Sequence, residues 1–207
     1  MARPPPYIQP CLPTLRPSLP KGDNWTAEVK FDGWRIQLHK SGKDVAVYSR
    51  GGHDYIERFH NIAAVLMTVP AHSVILDGEL VVPGADDCPD FYSLTLRRYK
   101  PTDLCVWAFD LLLLNGRDLR PLALVERRAQ LGTLLKSHPR NRLRLSESFS
   151  DPARLFDECE RRGLEGVVLK RKDAPYRSGK AKRWIKVKYP TWRTKKKPGA
   201  VPAFETN

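Results

Sequence analysis

Several stretches of this chain alternate apolar and polar residues with a period of two, the pattern of strands that bury one face. "NWTAEVKF" (24–31) and "WRIQLHK" (34–40) alternate this way and meet at Asp32-Gly33; "SGKD" reads as a turn and "VAVYSR" as the next strand. "SVILDGELVV" (73–82) and "DLCVWAFDLLLL" (103–114) read as buried strands, with "NGRD" as the turn after the second. "RLRLSESF" (142–149), "GVVLKR" (166–171) and "RWIKVKY" (183–189) supply further strands.

The period changes to that of a helix between these runs. Over residues 54–69, Tyr55, Phe59, Ile62, Leu66 and Val69 fall on one helical face. "DFYSLTLRR" reads as a short helix. Pro121 can open a helix that runs to about Leu135. Asp151 can cap another, with Pro152 as its first residue and Gly163 as its stop. Many antiparallel strands mixed with a few helices make an α+β domain. The proline-rich residues 1–24 read as an arm packed over a domain spanning 25–189, and residues 190–207 as a flexible basic tail.

Composition narrows the function. At 207 residues and 41% hydrophobic content the chain can bury one sizeable core. No apolar run approaches the roughly 20 residues of a membrane helix, and the start has no apolar signal core. The four cysteines contain no C-x-x-C pair, which argues against a zinc site or a disulfide framework and fits reduced thiols in a cytoplasm. The net charge of +13 calls for a polyanion. Much of the excess lies between Lys170 and Lys197, interleaved with Tyr176, Trp184, Tyr189 and Trp192, a composition suited to phosphate contacts with aromatic support.

Lys30 stands out within its strand pattern, followed at once by Asp32-Gly33 and Arg35. An amine attacks only in its neutral form, and lysine ordinarily titrates near about 10.4, so a nucleophilic lysine needs cations or burial around it. Arg35, Lys170, Lys186 and Lys188 are candidate cations; Glu28, Asp32, Glu79, Asp110 and Glu165 are carboxylates on separate strands. Cations for phosphates and carboxylates for metal and ribose suit a nucleoside triphosphate with a divalent metal. Glu28 and Lys30 share one strand face, as do Lys186 and Lys188. Glu79 within an apolar strand needs a partner, whereas Asp77-Gly78 taken alone reads as a turn.

In order, the chain carries "EVKFDGWR" (28–35), "SRGG" (49–52), "LDGELV" (76–81), "WAFDLL" (107–112), "EGVVLKR" (165–171) and "WIKVK" (184–188). This set resembles the nucleotidyltransferase domain of ATP-dependent DNA ligases, whose superfamily includes RNA ligases and mRNA capping enzymes. "PLALVERRAQLGTLL" and "GLEGVVLKRKDAPYRSGKAKRWIKVK" resemble the bacterial ligases of end-joining repair, and the likeness covers roughly residues 7–190.

The resemblance implies an ATP-grasp-like fold of antiparallel sheets flanked by helices. It implies that Lys30 attacks the ATP α-phosphate to form lysyl-AMP, using Mg2+ or Mn2+. AMP then passes to the 5′-phosphate of nicked double-stranded DNA, and a 3′-hydroxyl displaces it. Glu28 would read adenine and Phe109 would stack on it, although an aromatic beside "LLLL" also fits ordinary core. Val29 and Arg35 would join the nucleotide-binding set, Arg35 at the ribose, and Arg50 would meet ribose or the DNA 5′-phosphate. Glu79 would bind ribose or metal, Glu165 metal, and Lys186 and Lys188 the α-phosphate. Asp110 reads as structural. Arg50, Lys170, Arg171, Lys182 and Arg183 would form the DNA contact. The same lysine chemistry leaves open a capping-type or RNA-ligase activity, and the charge alone leaves open a non-enzymatic nucleic-acid-binding remnant.

Ligases of this type continue into an OB-fold domain, which needs five strands. Eighteen residues follow Tyr189, so a short monomeric chain without an OB-fold domain is expected. It would work in the bacterial cytoplasm near the nucleoid, with an OB-fold module or repair proteins supplied in trans.

Overall fold

The structure is a computed structural model that describes residues 4–84, 88–136 and 142–189. The tail expected over 190–207 lies outside the described residues.

Two sheets carry the fold. The first has four strands: β1 (Cys11–Leu15), β2 (Trp25–Val29), β9 (Gly166–Arg171) and β10 (Gly179–Lys188), in the order β1-β10-β9-β2. The second runs β4-β3-β5-β6-β7. It is built from β3 (Trp34–Ser41), β4 (Asp44–Ser49), β5 (Ser73–Val81), β6 (Cys105–Leu114) and β7 (Arg117–Asp118), with β8 (Leu143–Leu145) added on β6. The helices are α1 (His60–Met67), α2 (Phe91–Thr95), α3 (Leu124–Lys136) and α4 (Pro152–Arg161).

Strand alternation sorts the first sheet into two faces. Ala27, Val167, Leu169, Ile185 and Val187 pack with Leu155 and Cys159 of α4. Their even-numbered neighbours Glu28, Val168, Lys170, Trp184 and Lys186 turn to a cavity on the opposite face. In the second sheet Trp34, Ile36, Leu38, Leu76, Leu80 and Val106 join α1 and α3 residues in the main core, while Arg35 and Glu79 line the same cavity. A smaller apolar cluster including Cys11, Ile75, Phe109, Tyr176 and Trp184 joins the sheets.

Two pairings are parallel, β1 with β10 and β6 with β8, so the sheets are mixed rather than wholly antiparallel. The first arises because part of the N-terminal arm is itself a strand, woven into the sheet. Further along the arm, Gln37 Nε2 donates to the Ile8 carbonyl at 2.7 Å and His39 Nδ1 lies 2.8 Å from the Pro5 carbonyl oxygen.

Local chemistry explains where other elements differ from the sequence pattern. The helix expected from residue 54 begins at His60, because the Asp54 carboxylate accepts from the Val47 and Ile56 amides and holds the chain against β4; Phe59, Ile62, Leu66 and Val69 are still buried. "RLRLSESF" forms only the short β8, after which Phe149 crosses to pair with Ala27 of β2, so this segment stitches the two sheets together. Asp77-Gly78, turn-like when taken alone, lies mid-strand in β5, within the strand expected over 73–82. The α4 cap is the one expected, with the Asp151 side chain accepting from the Arg154 amide at 3.0 Å.

Two glycines set distances at the site. A Cβ on Gly33 would stand 2.3 Å from the Leu80 carbonyl oxygen and 3.0 Å from Glu79 Cγ. Gly166 has φ of +147°, and a Cβ there would stand 2.0 Å from the Val187 carbonyl oxygen. Each lets one strand close against another beside a carboxylate of the site.

Candidate active site

Lys30 follows the last residue of β2, where its amide donates to the Gly166 carbonyl at 3.0 Å. That bond sets the end of β2 against the start of β9. The Lys30 ammonium donates to Glu165 Oε2, and Lys188 Nζ lies 2.5 Å from Glu165 Oε1. Burial works against the Glu165 charge, but Lys30 and Lys188 outweigh it and hold the carboxyl below its usual range.

Lys30 lines a cavity of about 390 Å³ between the sheets. Glu28, Val29, Arg35, Arg50, Glu79, Phe109, Lys170 and Lys186 line it as well, so most of the residues read from sequence converge here. Burial lowers the pKa of Lys186, and Lys30 and Lys188 add to the effect against Glu165. Burial pushes Glu79 up to about 7, offset by Lys30 and Arg35 and reinforced by Glu165 and Asp32.

Phe109 reaches the cavity through a break in register. Asp77 of β5 faces Asp110 and Gly78 faces Ala108, which leaves Phe109 as the extra residue between them. Its ring carries Arg35 Cζ at 4.4 Å and Lys170 Nζ at 4.4 Å from the centroid. Arg35 is in turn held by Asp77 through two 2.6 Å bonds, and Tyr176 Oη donates to the same carboxylate at 2.6 Å. Arg35 therefore meets the cavity as a fixed, already paired group.

Lys170 requires a correction. The resemblance puts it in the DNA contact, but its side chain is only 2% exposed, sits 4.3 Å from the Trp184 ring centroid and lies 2.7 Å from Glu28 Oε1. It cannot reach a DNA backbone from there. Arg171 pairs with Asp173 at the surface, and Lys182 and Arg183 are exposed on β10. Asp110 is structural, as expected: it is fully buried and bound by Arg127 through two 2.8 Å bonds.

Several site residues were not singled out from sequence. Arg128 and Ser146 bind Glu28, and Lys180 lines the cavity. The one signal for the arginines was a charged pair, Arg127-Arg128, inside an apolar helix pattern.

Among the described residues, no cluster of three or more His, Cys, Asp or Glu is arranged to hold a metal. Magnesium is commonly held by one or two carboxylates together with substrate phosphates. Glu79, whose charging the nearby Glu165 opposes, and Glu165 supply that kind of donor set. A larger cleft of about 710 Å³ lies beyond Val29 and Phe31 under α4. Its arginines are matched by Glu147, Asp151 and Glu158, so it is a poor anion site beside the lysine-rich cavity.

Comparison with known proteins agrees with this geometry. The family model described as "ATP dependent DNA ligase domain" matches residues 13–188. The multifunctional non-homologous end joining protein LigD of Pseudomonas aeruginosa is 36% identical over 187 residues, covering 89% of this chain and 22% of that protein. A probable DNA ligase of Pseudarthrobacter chlorophenolicus is 36% identical over 173 residues, covering 79% of this chain and 33% of that protein. The solved ligase domain of M. tuberculosis LigD superposes with a TM-score of 0.72 at 31% identity, covering 86% of this chain and 59% of that one. A mycobacterial DNA ligase D complexed with ATP and MES gives 0.70 at 30% identity, covering 86% and 60%. The chain thus spans between a fifth and a third of the length of these two curated relatives. The family model spans residues 13–188, most of the chain, and the chain belongs to the ATP-dependent DNA ligase domain family.

Proposed function

We propose that this chain transfers the adenylyl group of ATP to Lys30 and then to the 5′-phosphate at a nick in duplex DNA, where a 3′-hydroxyl completes the seal. The observation that carries the reading is the position of Lys30. Its amine stands in the cavity with Glu28 and Phe109, groups suited to a purine, and with Lys186, a cation suited to phosphate.

In the first step Lys30 Nζ forms a bond to the α-phosphorus while the bond from that phosphorus to the bridging oxygen breaks, and pyrophosphate leaves. Glu165 holds the lysine amine in line for attack and is the nearest acceptor for its proton. Lys186 and Lys188, on one face of β10, oppose the charge that builds on the α-phosphate oxygens. Arg35, fixed by Asp77, and Arg50, on the turn after β4, stand at the cavity wall where ribose or a DNA 5′-phosphate would lie. A divalent cation held by Glu79 and Glu165 would neutralise phosphate charge.

In the second step an oxygen of the DNA 5′-phosphate attacks the same phosphorus, and the phosphorus–nitrogen bond breaks to restore Lys30. In the third, the 3′-hydroxyl attacks the 5′-phosphorus and AMP leaves. DNA is held by the basic surface that includes Lys182 and Arg183. All four cysteines are free thiols, in keeping with a reducing bacterial cytoplasm. Among the described residues no helix is long and apolar enough to cross a membrane.

The test is incubation with α-labelled ATP or GTP and a divalent metal, followed by nicked duplex. Protein-bound label from ATP, passed to the DNA on addition of the nick, is the expected result. Label from GTP alone would replace this reading with a capping-type transfer. No label from either nucleotide would leave only a nucleic-acid-binding domain.

A further inference from the structure

The Glu28 carboxylate is held from three sides. Oε1 accepts from Arg128 Nη1 at 3.0 Å and lies 2.7 Å from Lys170 Nζ; Oε2 accepts from Ser146 Oγ at 2.9 Å. Glu28, Ser146 and Lys170 are buried. Arg128 binds more than the carboxylate: the same Nη1 donates to the Phe109 carbonyl at 3.0 Å, and Nη2 donates to the Ser146 carbonyl. The Ser146 amide is tied to the Ala108 carbonyl at 2.8 Å. One guanidinium on α3 therefore fixes the backbone of Phe109 on β6, the segment after β8, and the carboxylate on β2.

We infer that Arg128 and Ser146 are positioning residues that set the purine specificity of the cavity, by holding the Glu28 carboxylate among donors as a hydrogen-bond acceptor. The inference rests on the proposed nucleotide site and adds to it the basis of nucleotide choice.

An ionised carboxylate has about four lone-pair sites and no donor. Three are taken by the cradle, which leaves one for a ligand. That site welcomes a donor and repels an acceptor. A purine with an amino group at position 6 presents a donor; one with a 6-oxo group presents an oxygen and leaves the carboxylate facing a second acceptor. A polar site rejects an analogue lacking the matching group far more strongly than an apolar pocket does. Arg128 and Lys170 place positive charge against the buried carboxylate, and Ser146 fixes its plane. Phe109 stays aligned because Arg128 holds its carbonyl. Neither Arg128 nor Ser146 lines the cavity, so both act through Glu28 and Phe109.

The test is equilibrium binding without divalent metal, so that no chemistry intervenes, of ATP and of inosine triphosphate, which differs at position 6. The parent should prefer ATP. Arg128→Gln should reduce that preference by about tenfold or more, the loss expected when a hydrogen bond to a charged group is undone. Ser146→Ala should reduce it less and in the same direction. Both should retain the parental circular dichroism. Should Arg128→Gln fail to fold, Ser146→Ala decides the matter. Folded variants with the parental ratio would overturn the inference, as would a parent that binds both nucleotides equally while still binding ATP. A parent that binds neither would instead remove the nucleotide site on which the inference rests.

Discussion

The Lys30 ammonium donates to Glu165 across 135 residues of sequence. The pair joins the end of β2 to the start of β9 and gives the lysine amine a fixed direction. Glu165 also binds Lys188, so one carboxylate organises two cations of the site. Glu165→Gln keeps the shape and removes the charge. Adenylation should fall on the order of a hundredfold, the scale seen when an electrostatic partner of a transition state is lost. Rapid-quench measurement of protein-bound AMP checks this, and a parental rate would remove Glu165 from the chemistry.

Most of the cavity was legible in the sequence because strand alternation forces Glu28 and Lys30, or Lys186 and Lys188, onto one face, and the ordered motifs mark these residues as one set. The partners of those residues were harder to see. Asp77-Gly78 has turn composition, yet its carboxylate lies buried in β5 to hold Arg35, a role visible only once β3 and β5 are paired. Lys170 sits in a basic run that suggests DNA, but alternation in β9 turns it inward against Glu28. Ser146 gave no signal, since its contact with Glu28 depends on the crossing from β8 to β2.

Stability should fall on acidification because of His39. Burial lowers its pKa to about 4, against the smaller opposing effects of the Pro5 carbonyl, Asp77 and Asp54. As pH drops below about 6.5 the unfolded chain takes up a proton that the buried ring does not. The stabilisation is present above that pH and is lost as pH falls toward 4, by up to about 3 kcal/mol. Urea melts from pH 7.5 to pH 4.5 should show a shallower acid-side decline for His39→Phe. Identical slopes would mean that this ring is not the titrating group.

Arg127 and Asp110 are both fully buried, and Arg127 Nη1 also donates to the Leu122 and Ala174 carbonyls. Arg127→Met should cost about 3–5 kcal/mol because it strands a buried carboxylate. Adding Asp110→Leu removes that charge and should recover part of the loss. Thermal melts of the two variants decide it: a double variant no more stable than the single would show that the lost carbonyl bonds, and not the stranded charge, dominate.

DNA binding through Lys182 and Arg183 should depend on salt and be indifferent to sequence, because contacts to phosphates release counterions and carry no sequence information. The double substitution Lys182→Ser, Arg183→Ser should weaken binding to nicked duplex and flatten the plot of log affinity against log salt by about 1 per side chain. Titrations at several salt concentrations measure the slope. A parental slope would place the DNA contact elsewhere on the basic surface.

The central claim is that Lys30 carries the adenylyl group, and peptide mapping by mass spectrometry after incubation with ATP and magnesium tests it most directly. The account predicts AMP on the peptide that contains Lys30, and no adduct on Lys30→Ala protein with parental circular dichroism. AMP on another side chain, or on the Lys30→Ala protein, would contradict it.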